Sequence, residues 1–170
     1  MQSYLNPPLR PRNGQTLEVL GIARISTLNQ DERSLADQEA LLRRWLLRNY
    51  GKSFHLRMIA SQGSGERLDR TESVEATRLV ESRKFDLVLS EDLGRIFRRM
   101  HAYLFCETCE DNGTRLIAIN DNVDTAKSDW QMAAIFQAFK HESSNRDTSA
   151  RIKRTLRNRF SQGGVFQVPI

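Results

Sequence analysis

Four short runs rich in aliphatic and β-branched residues recur along this chain, at 17–26, 54–59, 85–90 and 115–120. The segments between them carry apolar residues at helical spacing. After the first run, Leu35, Leu42 and Leu46, with Leu41 and Trp45 beside them, predict a helix over about 35–49, which Ser34 can cap and Gly51 can stop. Further helices are expected over about 72–83 and 96–111, after the second and third runs. Strand–helix alternation of this kind leaves few architectures. It predicts an α/β fold with a mainly parallel central sheet flanked by helices. Loops at the C-terminal ends of such strands share one rim. Here they are 26–33, 61–71 and 91–98.

The ends of the chain read differently. Residues 1–16 hold three of the four prolines and are expected to be a flexible leader to a core at 17–127. Ser128-Asp129-Trp130-Gln131 has the spacing of a capping box, and no Gly or Pro interrupts the chain from there to Phe160. One helix over 128–162 is expected, with roughly 30 uninterrupted residues giving ~45 Å at 1.5 Å per residue. Its first half is apolar through Met132, Ile135, Phe136 and Phe139, a stripe expected to pack between subunits. Its second half carries a thin stripe of Ile152, Leu156 and Phe160 among basic residues. Residues 163–170 then read as the start of a linker to a DNA-binding region beyond Ile170.

The formal net charge is +5, and it is unevenly spread. Arg151, Lys153, Arg154, Arg157 and Arg159 fall within nine residues that contain no acid. Such a run suits a polyanion, and these five are the candidate DNA contacts. No apolar stretch is long enough to span a bilayer, and the N-terminus lacks a signal-peptide core, so a soluble, cytoplasmic protein with no membrane partner is expected. Cys106 and Cys109 share a helix face near His101, but a fourth zinc ligand is not evident. Both are read as reduced thiols of ordinary packing, and no metal is expected. His55, His101 and His141 have no partner pattern. There is no Walker P-loop and no G-x-G-x-x-G.

The chemistry concentrates at the end of the first strand, in Arg24-Ile25-Ser26-Thr27. A hydroxyl two residues after an arginine stands there on the rim where α/β proteins place reactive groups. If later arginines converge on it, Ser26 can attack a phosphate, since guanidinium groups offer permanent charge and paired donors for the phosphoryl oxygens. Four patterns occur in order: Ala23-Arg24-Ile25-Ser26-Thr27 with Gln30 and Gln38; Ser64-Gly65 followed by Arg70; Glu91-Asp92-Leu93-Gly94-Arg95-Ile96-Phe97-Arg98; and the long basic helix. Together they resemble the catalytic domain of serine site-specific recombinases, the resolvase/invertase superfamily, and most of all the large serine recombinases.

That resemblance implies a resolvase-like fold and makes Ser26 the nucleophile. It makes Arg24, Arg70, Arg95 and Arg98 the active-site arginines, with Gln30 and Gln38 in support; Asp92, or Glu91 beside it, is read as a stand-in for an acid that the family pattern has and this chain lacks. It implies site-specific DNA recombination through a 5′-phosphoserine intermediate, followed by strand rejoining. It also implies DNA as partner, a homodimer that becomes a tetramer at synapsis, and no metal, nucleotide or other cofactor. The chain departs from the family pattern at three positions. Gly94 stands where an Asp usually precedes the first arginine of the third pattern, Ser61 replaces an acid before the Ser-Gly loop, and Ile22 replaces an aromatic. An alternative therefore stands beside the enzyme: a non-catalytic DNA-tethering or assembly module that retains the recombinase fold.

Overall fold

A computed structural model describes residues 7–25, 31–62, 70–97 and 100–140. The elements in chain order are β1 (Leu17–Ile25), α1 (Asp31–Asn49), β2 (Phe54–Gln62), α2 (Arg70–Glu81), β3 (Leu87–Ser90), α3 (Leu93–Ile96), α4 (Met100–Asp111), β4 (Arg115–Ala118) and β5 (Val123–Asp124). A further helix, α5, is described over 130–140.

The five strands form one sheet in the order β2-β1-β3-β4-β5. β1 pairs with β2 in parallel from Leu17↔Phe54 to Ile25↔Gln62, and with β3 from Val19↔Leu87 to Ile22↔Ser90. β4 runs parallel to β3, and only β5 is antiparallel. The mainly parallel sheet expected from the alternation is therefore present. The chain leaves β1 toward one side to form β2 and returns on its other side as β3. The C-terminal ends of β1 and β3 thus flank a topological switch point, where open α/β sheets leave a crevice.

Alternation along the strands divides the core into two layers. Leu17, Val19, Leu87, Leu89 and Ile117 pack with Leu42 and Leu46 of α1 on one face. Leu20, Ile22, Val88, Leu116 and Ala118 meet α2, α3, α4 and α5 on the other, through residues such as Val80, Ile96, Phe105 and Trp130. Strands buried on both faces must be apolar, which is why the runs of β1, β3 and β4 stand out in the sequence, whereas the edge strand β2 leaves His55 and Arg57 exposed. Gly21 faces the α1 layer, where a Cβ would collide with Met58 Sδ and crowd Leu42 Cδ1 at 3.2 Å.

Several boundaries differ from expectation. α1 begins at Asp31, ahead of the cap assigned to Ser34. The single helix expected over 96–111 is two. α3 ends at Phe97, whose backbone is extended (φ −143°, ψ 164°), and α4 starts at Met100. Phe97 sets its ring edge-on to Phe105, with centroids 4.8 Å apart. The fourth strand stops at Ala118 rather than running to Asn120, because a turn through Asn122 (φ 53°) reverses the chain into β5. Arg115 and Asp124 close that hairpin with a two-pronged ion pair at 2.7 and 2.6 Å.

Composition reads 1–16 as flexible, yet its described part, from Pro7 onward, is tied to the core. The Arg12 guanidinium donates to the carbonyls of Arg83, Asn112 and Gly113 and to Thr114 Oγ1. α2 and α4 both end just before these carbonyls, in left-handed residues Arg83 (φ 55°) and Gly113 (φ 67°). One cation thus sits at the negative ends of two helices. Asp86 accepts from the Arg12 and Glu18 backbone N–H groups and fixes the segment to β1.

α5 buries its small face. Trp130, Ala134 and Ala138 are buried, while Met132, Phe136 and Phe139 are 74%, 66% and 63% exposed. Trp130 stacks on Tyr103, and its Nε1 donates to Glu110 Oε1 at 3.2 Å. The alanines let the helix approach closely, and the bulky stripe read as a packing surface points out of this subunit. The part of the expected helix beyond 140, with the basic run Arg151 to Arg159, lies outside the described residues.

Candidate active site

The backbone at the end of β1 is held by one side chain. Gln38 projects from α1 and is buried. Its Oε1 accepts the Arg24 N–H at 3.3 Å, and its Nε2 donates to the Arg24 carbonyl at 3.2 Å. The same nitrogen lies 3.1 Å from the Ser34 carbonyl. A side-chain amide thereby imitates a neighbouring strand and pairs with both backbone groups of Arg24.

From this fixed backbone, the Arg24 guanidinium donates through Nη1 to the Gly94 carbonyl at 3.0 Å. Gly94 lies in α3, the short helix that also carries Arg95. The link joins β1 to the loop after β3 across the switch point. Ser90, fully buried at the end of β3, strengthens the junction, with its Oγ 2.9 Å from the Ile22 carbonyl and 3.1 Å from that of Asp92.

A helix of four residues cannot sustain itself, so α3 depends on its caps. Asp92 is the N-cap, and its Oδ1 accepts the Arg95 N–H at 2.9 Å. Asp121, buried after β4, accepts the Leu93 N–H through Oδ2 at 2.7 Å. The Arg95 guanidinium is half-exposed, with Nε 3.5 Å from Glu91 Oε2 and 3.6 Å from Asp92 Oδ2. Those separations make an ion pair but no hydrogen bond, and Nε is left buried without one among the described residues.

Of the residues singled out from sequence, the structure joins Gln38 to Arg24 and Asp92 to Arg95, and ties Arg24 to the carbonyl of Gly94, next to Arg95. Arg70 opens α2, and nothing further is described of its side chain. Ser26, Gln30 and Arg98 lie outside the described residues, as do Arg151, Lys153, Arg154, Arg157 and Arg159. Sequence reasoning passed over Asp121, because 28 residues separate it from the amide it caps. It also passed over the Gly94 carbonyl, a backbone group that no side-chain pattern reveals.

The two thiols take no part in this rim. Cys106 and Cys109 are buried in the α4 layer, and burial pushes the Cys106 thiol up to about 12 and raises that of Cys109 as well. His101 is exposed. Among the described residues no helix is long and apolar enough to cross a membrane.

Residues 19–165 match the family model "Resolvase, N terminal domain". The chain belongs to the resolvase family. The family acts on DNA and consists generally of oligomeric site-specific recombinases. Among solved structures, this resolvase domain is similar to the N-terminal catalytic domain of TP901-1 integrase, with 23% identity, 76% of this chain and 97% of that one covered, and a TM-score of 0.58. A resolvase family site-specific recombinase from Streptococcus pneumoniae matches with 19% identity, 83% and 99% coverage, and a TM-score of 0.54. The C-terminal catalytic domain of ISC1926 TnpA, an IS607-like serine recombinase, matches with 22% identity, 60% and 69% coverage, and a TM-score of 0.51. At these identities the likeness is one of fold. No curated protein matches the chain.

Proposed function

We propose that this resolvase domain cleaves and rejoins DNA with Ser26 as its nucleophile. The observation that carries the reading is the Arg24 Nη1 bond to the Gly94 carbonyl. It ties the strand end two residues before Ser26 to the short helix that bears Arg95. Arg98 follows Phe97 directly, and Arg70 opens the helix after β2, whose C-terminal end adjoins that of β1. Four permanent charges then fall on segments that share one rim. In the step proposed, a bond forms between Ser26 Oγ and the scissile phosphorus, and the bond from phosphorus to the 3′ oxygen breaks. Ser26 loses a proton and the 3′ oxygen gains one. The arginines stabilise the added charge on the non-bridging oxygens, where losing one preorganised donor costs on the order of 10²–10³ in rate. The ester keeps the energy of the broken bond, so rejoining is the same step reversed onto a new 3′ hydroxyl.

Gln38 supports the site by fixing Arg24, Asp92 by capping the helix of Arg95, and Gln30 by its place beside Ser26 in sequence. The basic residues Arg151, Lys153, Arg154, Arg157 and Arg159 contact the DNA backbone. The exposed Met132, Phe136 and Phe139 meet a second copy in a homodimer, which pairs into a tetramer at synapsis. The protein works on cytoplasmic DNA.

The test is covalent capture. A pool of nicked duplexes with randomised centres is mixed with the protein, and adducts are recovered under denaturing conditions. A 5′-phosphoserine adduct that Ser26→Ala abolishes supports the enzyme. DNA binding without an adduct supports the second reading, a tethering or assembly module. Two observations favour that module: Arg95 already faces two carboxylates, and Gly94 leaves no acid directly before it.

A further inference from the structure

Asp121 touches both α3, the helix of the candidate arginine, and α5. Its carboxylate Oδ2 accepts the Leu93 N–H at 2.7 Å, a buried, charge-assisted bond at the first residue of α3. Its backbone carbonyl accepts from Gln137 Nε2 of α5 at 3.3 Å. The other end of that amide, Gln137 Oε1, is buried with no hydrogen-bond partner among the described residues. A buried orphan acceptor is costly, so α5 sits here in a docking that is poorly satisfied at this point. The other contacts of α5 near its start, the Trp130 stack and its bond to Glu110, reach α4 rather than the rim.

We propose that Asp121 is a positioning residue that couples the seating of α5 to the placement of Arg95. The inference rests on the recombinase reading above and adds a means of regulating the same site. α3 has four residues and holds its shape through two carboxylate caps, Asp92 on the Arg95 N–H and Asp121 on the Leu93 N–H. The Gly94 carbonyl that holds Arg24 lies between them. A shift of α5 that pulls on the Asp121 main chain moves one of the two caps. Both candidate arginines then lose their register together. An event on the outer face of α5, such as the docking of a second copy, therefore has a route to the site that runs through Gln137 and Asp121.

Amide hydrogen exchange of the full chain tests this without DNA. Asp121→Leu removes a charge-assisted bond and should speed exchange at Leu93 and Arg95 by roughly tenfold to a hundredfold. Asp121→Asn keeps an acceptor and should stay much closer to the parent. Gln137→Leu touches neither amide and removes the orphan acceptor. It should still speed exchange at Leu93 and Arg95 by about threefold or more, the scale of one neutral hydrogen bond, with Leu20 in β1 and the global urea midpoint unchanged. Should Asp121→Leu fail to fold, the Asn and Gln137 variants decide. Unchanged exchange at Leu93 and Arg95 in Gln137→Leu overturns the coupling. With nicked DNA, Gln137→Leu should slow adduct formation without weakening DNA binding, and an unaltered rate also overturns it. A parent chain that forms no adduct at all refutes the catalytic reading alone, because the exchange result stands apart from it.

Discussion

The Gln38 side chain brackets the backbone of Arg24, accepting its N–H at 3.3 Å and donating to its carbonyl at 3.2 Å. Gln38→Glu keeps the shape but loses the donor, and sets a carboxylate oxygen against the Arg24 and Ser34 carbonyls. It should cost more than Gln38→Ala, whose effect should be about 1–3 kcal/mol from polar groups left buried without partners. Urea unfolding measures the order of the two. If the bracket positions Ser26, both variants should also lower the rate of adduct formation while leaving DNA binding intact.

Arg12 should matter to stability far more than a residue of a proline-rich N-terminal segment normally does. It joins the ends of α2 and α4 through three carbonyls and a hydroxyl. Arg12→Ala should lower the unfolding free energy by about 1.5–3 kcal/mol, the range for hydrogen bonds to a charged group. Arg12→Lys should recover little of it, since one ammonium cannot reach several acceptors in a fixed fork. Chemical denaturation of the three proteins decides the matter.

The buried thiols predict an alkaline limit. Cys106 has a pKa of about 12 when folded against 9.0 as a free thiol, and Cys109 is raised in the same direction. Between these values the folded state binds more protons than the unfolded one. The stabilisation is fully present below pH 9.0 and is lost as pH rises toward about 12. Over that window Cys106 alone can remove up to about 1.4 kcal/mol per pH unit. Cys106→Ala/Cys109→Ala should flatten the loss in a plot of urea midpoint against pH. A thiol reagent at pH 8 should label the parent only at the rate at which it opens.

The two faces of α5 should separate fold from assembly. Trp130→Ala empties a buried site and should cost about 3–5 kcal/mol. Phe136→Ser alters a residue that is 66% exposed and should leave the unfolding midpoint nearly unchanged. In sedimentation, Phe136→Ser with Phe139→Ser should shift a dimer toward monomer. An unchanged distribution would remove this stripe from the subunit interface.

Much of the fold could be read from the chain because buried parallel strands must be apolar on both faces, as 19–23 and 87–89 are. The meeting of Arg24 with the Arg95 helix followed from the rule that loops after parallel strands share a rim. Other features had no local signature. The break between α3 and α4 depends on Phe97 turning onto Phe105. Arg12 acts through partners 71 to 102 residues away. On α5 the alanines carry the packing, and the phenylalanines, which look like core on any hydropathy scale, face outward. Asp121 was invisible for a related reason, since an acid in a turn ordinarily points to water.

The hold of Arg24 on position 94 is made to a main-chain oxygen, which every amino acid supplies. Mutational drift at that position can change the side chain and leave the tether in place, so long as the four-residue helix keeps its course. Glycine in place of the acid that the family resemblance leads one to expect at position 94 thus falls where the architecture does not depend on the side chain.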